Sequence, residues 1–102
     1  MEDWSGALVD FTAAIVLDSA YTESYFSRGF VHWKMDEYEH AVENFQRGLD
    51  LDPAHPAHEE AILACGLSFL ELDDTNKACE IFHQLYRLNA ELARDLLAEI
   101  CE

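Results

Sequence analysis

Residues 22–55 read TESYFSRGFVHWKMDEYEHAVENFQRGLDLDPAH. Two apolar stripes run through this stretch. Tyr25, Phe26, Gly29, Phe30 and Trp33 recur at steps of 1, 3, 1 and 3, and Tyr38, Ala41, Val42, Phe45 and Leu49 at steps of 3, 1, 3 and 4. Such steps place residues on one face of a helix and do not fit the alternation of a strand. Between the stripes, Asp36 with Glu39 three residues later makes a capping-box-like start. Asp52-Pro53-Ala54-His55-Pro56 stops the second helix and opens another, because proline is tolerated in a first turn. The stretch therefore predicts two helices joined by a short turn, which makes them antiparallel neighbours.

The same grammar extends both ways. Upstream, Met1 to Asp18 carries Trp4, Ala7, Leu8, Phe11, Ala14 and Ile15 in one stripe, with Leu17 off it. Ser19 to Tyr21 breaks the pattern and Thr22 is positioned to cap the next helix. Downstream, Ala61, Ile62, Cys65, Leu67, Phe69 and Leu70 predict a fourth helix. Asp73-Asp74-Thr75 forms a turn, and Ala78, Cys79, Ile81, Phe82 and Leu85 follow as a fifth stripe. Asn89 or Ala90 resets the chain before Leu92, Leu96, Leu97, Ile100 and Cys101. The reading is all-α, about six helices in one domain, with no Pro/Gly/Ser linker.

A shift of 34 places Trp4 on Tyr38, Ala7 on Ala41, Leu8 on Val42, Phe11 on Phe45, Ala14 on Gly48, Ile15 on Leu49, Leu17 on Leu51 and Asp18 on Asp52. A shift of 37 places Gly29 on Gly66, Ala41 on Ala78, Phe45 on Phe82 and Leu51 on Leu88, the three extra residues fitting at Pro56-Ala57-His58. A period of this length in helical segments is the mark of a helical repeat array. With Tyr25, Gly29, Ala41, Phe45 and Pro53 at their positions, the chain resembles the tetratricopeptide repeat. The turn Asp36-Glu37-Tyr38-Glu39-His40-Ala41-Val42 and the ending Leu49-Asp50-Leu51-Asp52-Pro53 carry the same likeness. The next unit keeps Ile62, Gly66, Phe69, Ala78 and Phe82, with Ala90 where the proline would fall.

That resemblance implies antiparallel helix pairs stacked as a short right-handed solenoid. Its units would be residues 1–21 as the second helix of a partial repeat, 22–55 as a full repeat, 56–58 as an insertion, 59–92 as a full repeat, and 90–102 as a closing helix. The small Gly29, Ala41, Gly66 and Ala78 let helices approach, with Phe45 and Phe82 filling the space beside them. Arg28 and His32 depart from the pattern, which expects a leucine and an aromatic there. A buried guanidinium needs a partner, or its stem packs while its head reaches solvent. The first helix lacks the partner helix of its own unit, so the face of Trp4, Leu8, Phe11 and Ile15 is expected to be exposed, covered by another copy, or covered by an upstream helix of a longer repeat protein.

Composition narrows the function. Six Lys and Arg stand against 21 Asp and Glu, a formal net charge of −15. Phosphate backbones and anionic membrane surfaces both need clustered cations, so neither nucleic acid nor membrane is an expected partner. A basic protein or peptide would be steered toward this chain. No apolar run approaches the ~20 residues of a membrane span, and the acidic start lacks the basic opening of a secretory signal. Three cysteines, Cys65, Cys79 and Cys101, make an odd count without close pairs. That argues against a disulfide framework and for a reducing, cytoplasmic setting, with Cys65 and Cys79 read as small buried residues that approach one another.

Chemistry is sparse. His55 and His58 are separated by the proline turn and have no third ligand near them, and no Cys-x-x-Cys or His-Glu-x-x-His pattern occurs. Glu59-Glu60 and Asp73-Asp74 sit at helix starts, where carboxylates favour the helix dipole. No nucleophile elbow or glycine-rich phosphate loop is present. The expectation is no catalytic residue, no metal and no cofactor. By resemblance, the first helix of each unit lines a concave groove, here Glu23, Phe26, Phe30, Trp33 and Lys34, then Glu60, Leu63, Leu67, Leu70 and Glu71. Family members that grip a terminal carboxylate use Lys, Arg and Asn in this groove, and Phe26, Phe30, Leu63 and Leu67 do not match. The expectation is an adaptor that binds a partner peptide or helix of apolar and basic character, with Glu23, Glu60 and Glu71 as an acidic rim. Two alternatives stay open: the apolar lining is core under the closing helix or a second copy, or the chain self-associates as a homodimer or longer solenoid.

Overall fold

The computed structural model describes residues 4–18, 22–52 and 58–101. Among them are six α-helices and no strand: α1 (Trp4–Leu17), α2 (Thr22–Lys34), α3 (Tyr38–Leu51), α4 (His58–Glu71), α5 (Thr75–Leu88) and α6 (Ala90–Ile100). Each helix packs on the next, and α2 also reaches α4, so the pairs α2–α3 and α4–α5 stack side by side as a helical solenoid. The proline turn at Pro53, His55 and Pro56 lies outside the described residues, as does the break at Ser19 to Tyr21.

The two inter-helix turns are built alike. Asp36 and Asp73 both take a left-handed backbone, φ 60°, a region that Asp tolerates better than most residues. After each, the chain closes back on the helix: the Glu37 amide donates to the His32 carbonyl at 2.8 Å, and the Asp74 amide to the Phe69 carbonyl at 2.9 Å. This is a Schellman-type ending, with aspartate where glycine is usual. It corrects the capping-box reading: Asp36 ends α2, and the N-cap of α3 is Glu37, which makes no side-chain capping bond. Thr22 likewise lies inside α2 and is not its cap. True side-chain caps occur later, with Asp74 accepting from the Lys77 amide at 3.1 Å and Asn89 from the Leu92 amide at 3.2 Å.

The core runs between the two pairs. Ala41, Phe45, Ala61, Ile62, Cys65, Ala78, Phe82, Leu85 and Ala93 have no exposed surface. Glycines face aromatic rings across each pair. A methyl group on Gly29 would come within 2.9 Å of the Phe45 ring, and one on Gly66 within 3 Å of the Phe82 ring, so these rings occupy the space a side chain would need. The two contacts are the same contact, one repeat apart.

The ends differ. On α1 no residue is buried, and the helix touches α2 alone among the helices. At the other end, α6 seats Ala93, Leu96, Leu97 and Ile100 on the core and turns Glu91, Arg94, Asp95 and Glu99 outward. A disulfide joins Cys79 of α5 to Cys101 just past α6, their Cα atoms 5.8 Å apart. This overturns the expectation that no disulfide forms, and Cys79 does not pair with Cys65. The odd count misled because one cysteine is set aside: Cys65 is a buried free thiol, its pKa pushed up to about 12 by burial. Cysteine count therefore lends no support to a reducing compartment.

Candidate partner-binding groove

α2 and α4 are the first helices of their pairs, and their ten expected groove positions divide into four groups. Phe26 is removed from the set: it is 2 % exposed, and its ring fills the slot left by Gly48 of α3. Phe30 and Leu63 are half-buried against the core, Phe30 edge-on to Phe45 with centroids 4.9 Å apart. Glu23 and Glu60 are exposed and border none of the cavity described next.

The remaining five, Trp33, Lys34, Leu67, Leu70 and Glu71, converge. With Asp36 and Tyr38 they line a cavity of about 360 Å³ at the C-terminal ends of α2 and α4. Trp33, Leu67 and Leu70 are partly buried and form an apolar floor continuous with the core. The Lys34 Nζ stands 5.1 Å from the centroid of the Trp33 ring. Tyr38 donates its hydroxyl to Asp36 Oδ1 at 2.8 Å. That bond raises the Tyr38 pKa above its ordinary value, and desolvation and the charges of Asp36 and Glu71 add to the rise. Asp36 and Tyr38 were absent from the expected set, because the sequence pattern assigns them to a turn and to the α3 stripe. The available signal was their position directly after Trp33 and Lys34.

The two departures from the repeat pattern meet at a different place, the junction of α1, α2 and α3. Arg28 Nε donates to Asn44 Oδ1 at 2.7 Å, its Nη1 lies 3.5 Å from Thr12 Oγ1, and its guanidinium sits 5.8 Å from the Tyr25 ring centroid. Asn44 in turn donates to the His40 carbonyl at 2.7 Å. His32 stacks on His40 with centroids 4.9 Å apart and contacts Glu37 through Nδ1 at 3.0 Å. Arg28 thus has a partner and keeps its place in the helix pair. No buried side-chain polar atom among the described residues lacks a hydrogen bond.

The residues of the expected self-association face are not the most exposed ones of their helix. Trp4, Leu8, Phe11 and Ile15 are half-buried, while the exposed apolar residues of α1 are Val9, Val16 and Leu17 at 68, 80 and 87 %. Among the described residues no three His, Cys, Asp or Glu side chains come together as a metal site. His58 starts α4, and His55 lies outside the described residues.

Sequence comparison agrees with the helix pairs. The tetratricopeptide-repeat family profile matches residues 22–55, the α2–α3 pair with the segment that follows it. Residues 22–55 carry a tetratricopeptide repeat. Hsp70-Hsp90 organizing protein of Triticum aestivum is 38% identical over 58 residues, covering 57% of this chain and 10% of that protein. Hsp70-Hsp90 organizing protein 3 of Arabidopsis thaliana is 33% identical over 58 residues, with the same coverage. The chain spans about a tenth of the length of these relatives. Among the described residues, no helix is long and apolar enough to cross a membrane.

Proposed function

We propose that this tetratricopeptide chain is a non-catalytic interaction module that holds a peptide or helix of a partner protein along α2 and α4. One observation carries the reading: five side chains from two helices, which the repeat pattern places on its binding face, surround a single cavity. Its floor of Trp33, Leu67 and Leu70 offers apolar area, and its rim offers charge, the combination from which peptide-binding grooves are built. The relatives are named for organising two other proteins, which fits a holding role and no chemistry. A free terminal carboxylate is not the proposed ligand, because Asp36 and Glu71 would repel it.

A random peptide library selected on the intact chain tests the groove. Selected peptides should lose at least tenfold in affinity to the Trp33→Ala/Leu67→Ala variant, with far-UV circular dichroism unchanged. Equal affinity for the two proteins would discard the assignment.

Self-association is a second reading, favoured by the exposed Val9, Val16 and Leu17 on α1. Light scattering at rising concentration tests it. A mass above one chain that Val9→Glu/Val16→Glu returns to one would support it, and a single chain throughout would end it.

A further inference from the structure

The cavity between α2 and α4 is not an undifferentiated apolar slot. Its floor is Trp33, Leu67 and Leu70, and two carboxylates border it from separate elements, Asp36 from the α2–α3 turn and Glu71 from the end of α4. Both charges bear on the Tyr38 hydroxyl, whose pKa rises. The cavity also lies where α2 and α4 end, and the carbonyl-bearing end of a helix favours cations. An indole face adds a further attraction of the same sign. The chain already places one ammonium here, that of Lys34, 5.1 Å from the Trp33 centroid. The chain as a whole carries a formal net charge of −15, which steers basic ligands toward it.

We infer that the cavity receives one arginine or lysine side chain of the partner protein, an inference that rests on the groove reading. Its aliphatic stem lies on Leu67, Leu70 and Trp33, and its cationic head sits between Asp36 and Glu71 in the place that Lys34 now attends. Arginine is the better occupant, since a planar guanidinium both stacks on an indole and pairs with a carboxylate through two N–H groups. The floor supplies contact area and the two carboxylates supply the choice of ligand.

The test uses the full chain with Trp4→Phe, leaving Trp33 as the single indole, and two synthetic amphipathic peptides of leucine and arginine or leucine and citrulline. Citrulline keeps the shape of arginine and removes its charge. Trp33 fluorescence should report the arginine peptide binding at least tenfold tighter. Asp36→Asn/Glu71→Gln should abolish that preference, while Glu91→Gln/Glu99→Gln on α6 leaves it intact. Lys34→Ala should tighten the arginine peptide several-fold and leave the citrulline peptide unchanged. Equal binding of the two peptides, or an equal loss from the α6 variant, overturns the inference. If both peptides bind equally and Leu67→Ala removes both, the groove stands without a cation site. If neither peptide binds and the library yields no ligand, both readings fall together.

Discussion

α1 and α3 are the same helix written twice, 34 residues apart, and they end in different states. Ala41 and Phe45 of α3 have no exposed surface, held between α2 on one side and α4 on the other. Their counterparts Ala7 and Phe11 on α1 are half-buried, because α1 meets α2 alone. The outward faces differ in the opposite sense. α3 turns Glu43, Arg47 and Asp50 outward, whereas α1 has Val9, Ala13 and Val16 at the matching places, all exposed. An apolar stripe makes a helix, and the number of neighbours decides how much of that stripe is removed from water.

The widest separation should come from the paired phenylalanines. Phe45→Ala removes a ring that Gly29 and Phe30 close around, and should cost about 3–5 kcal/mol in urea unfolding followed by circular dichroism. Phe11→Ala leaves no closed cavity and should cost about 1–2 kcal/mol. Equal losses would mean that α1 is as well held as α3.

The two ends of the array sharpen the contrast. Reducing Cys79–Cys101 opens a loop whose ends are 22 positions apart in sequence and should lower stability by about 3 kcal/mol on the chain-entropy account. The same reductant should then let iodoacetamide at pH 8 label Cys79 and Cys101 in the folded protein while sparing Cys65. The thiolate is the reacting form, and a thiol raised to about 12 holds almost none of it at that pH. Mass spectrometry that finds Cys65 labelled at the same rate would contradict its burial.

A smaller effect should separate Gly48 from Ala14, the same position on the two helices. Gly48→Ala pushes a methyl group to within 2.5 Å of the Phe26 ring, and the strain should exceed the gain in helix propensity, a net loss of about 1–2 kcal/mol. Ala14→Gly loses propensity alone, about 1 kcal/mol at most. If Gly48→Ala stabilises the protein, the ring is free to move and the contact is looser than the geometry shows. Smallest of all, Val16→Asp copies the α3 residue onto α1 and should change monomer stability by less than about 0.5 kcal/mol, since Val16 is 80 % exposed.

The helices and their repeat were legible because both are periodic, and period survives without knowledge of neighbours. What escaped depends on side chains meeting across elements. Phe26 stands at a groove position by count, yet Gly48, distant in sequence, opens the slot that takes its ring inward. Asp36 reads equally as the end of one helix or the cap of the next, and only its φ of 60° decides. Val9 and Val16 lie off the inner stripe of α1, which by itself accounts for a helix and says nothing about the opposite face. The disulfide needed α6 to fold back along α5, which cysteine spacing does not encode. Of the ten expected groove positions, the five at the ends of α2 and α4 line one cavity, because there the repeat pattern and the packing of neighbouring helices place side chains on the same side.

The Cys79–Cys101 link has a mechanical meaning. Tension drawn along the backbone passes through the sulfur bridge and skips everything between, so α6 can melt under load without lengthening the molecule. Among the described helices α1 meets α2 alone and carries no cysteine, so packing by itself resists the same pull there. The described array thus bears load in two ways, through a sulfur splice at α5–α6 and through side-chain contact at α1–α2.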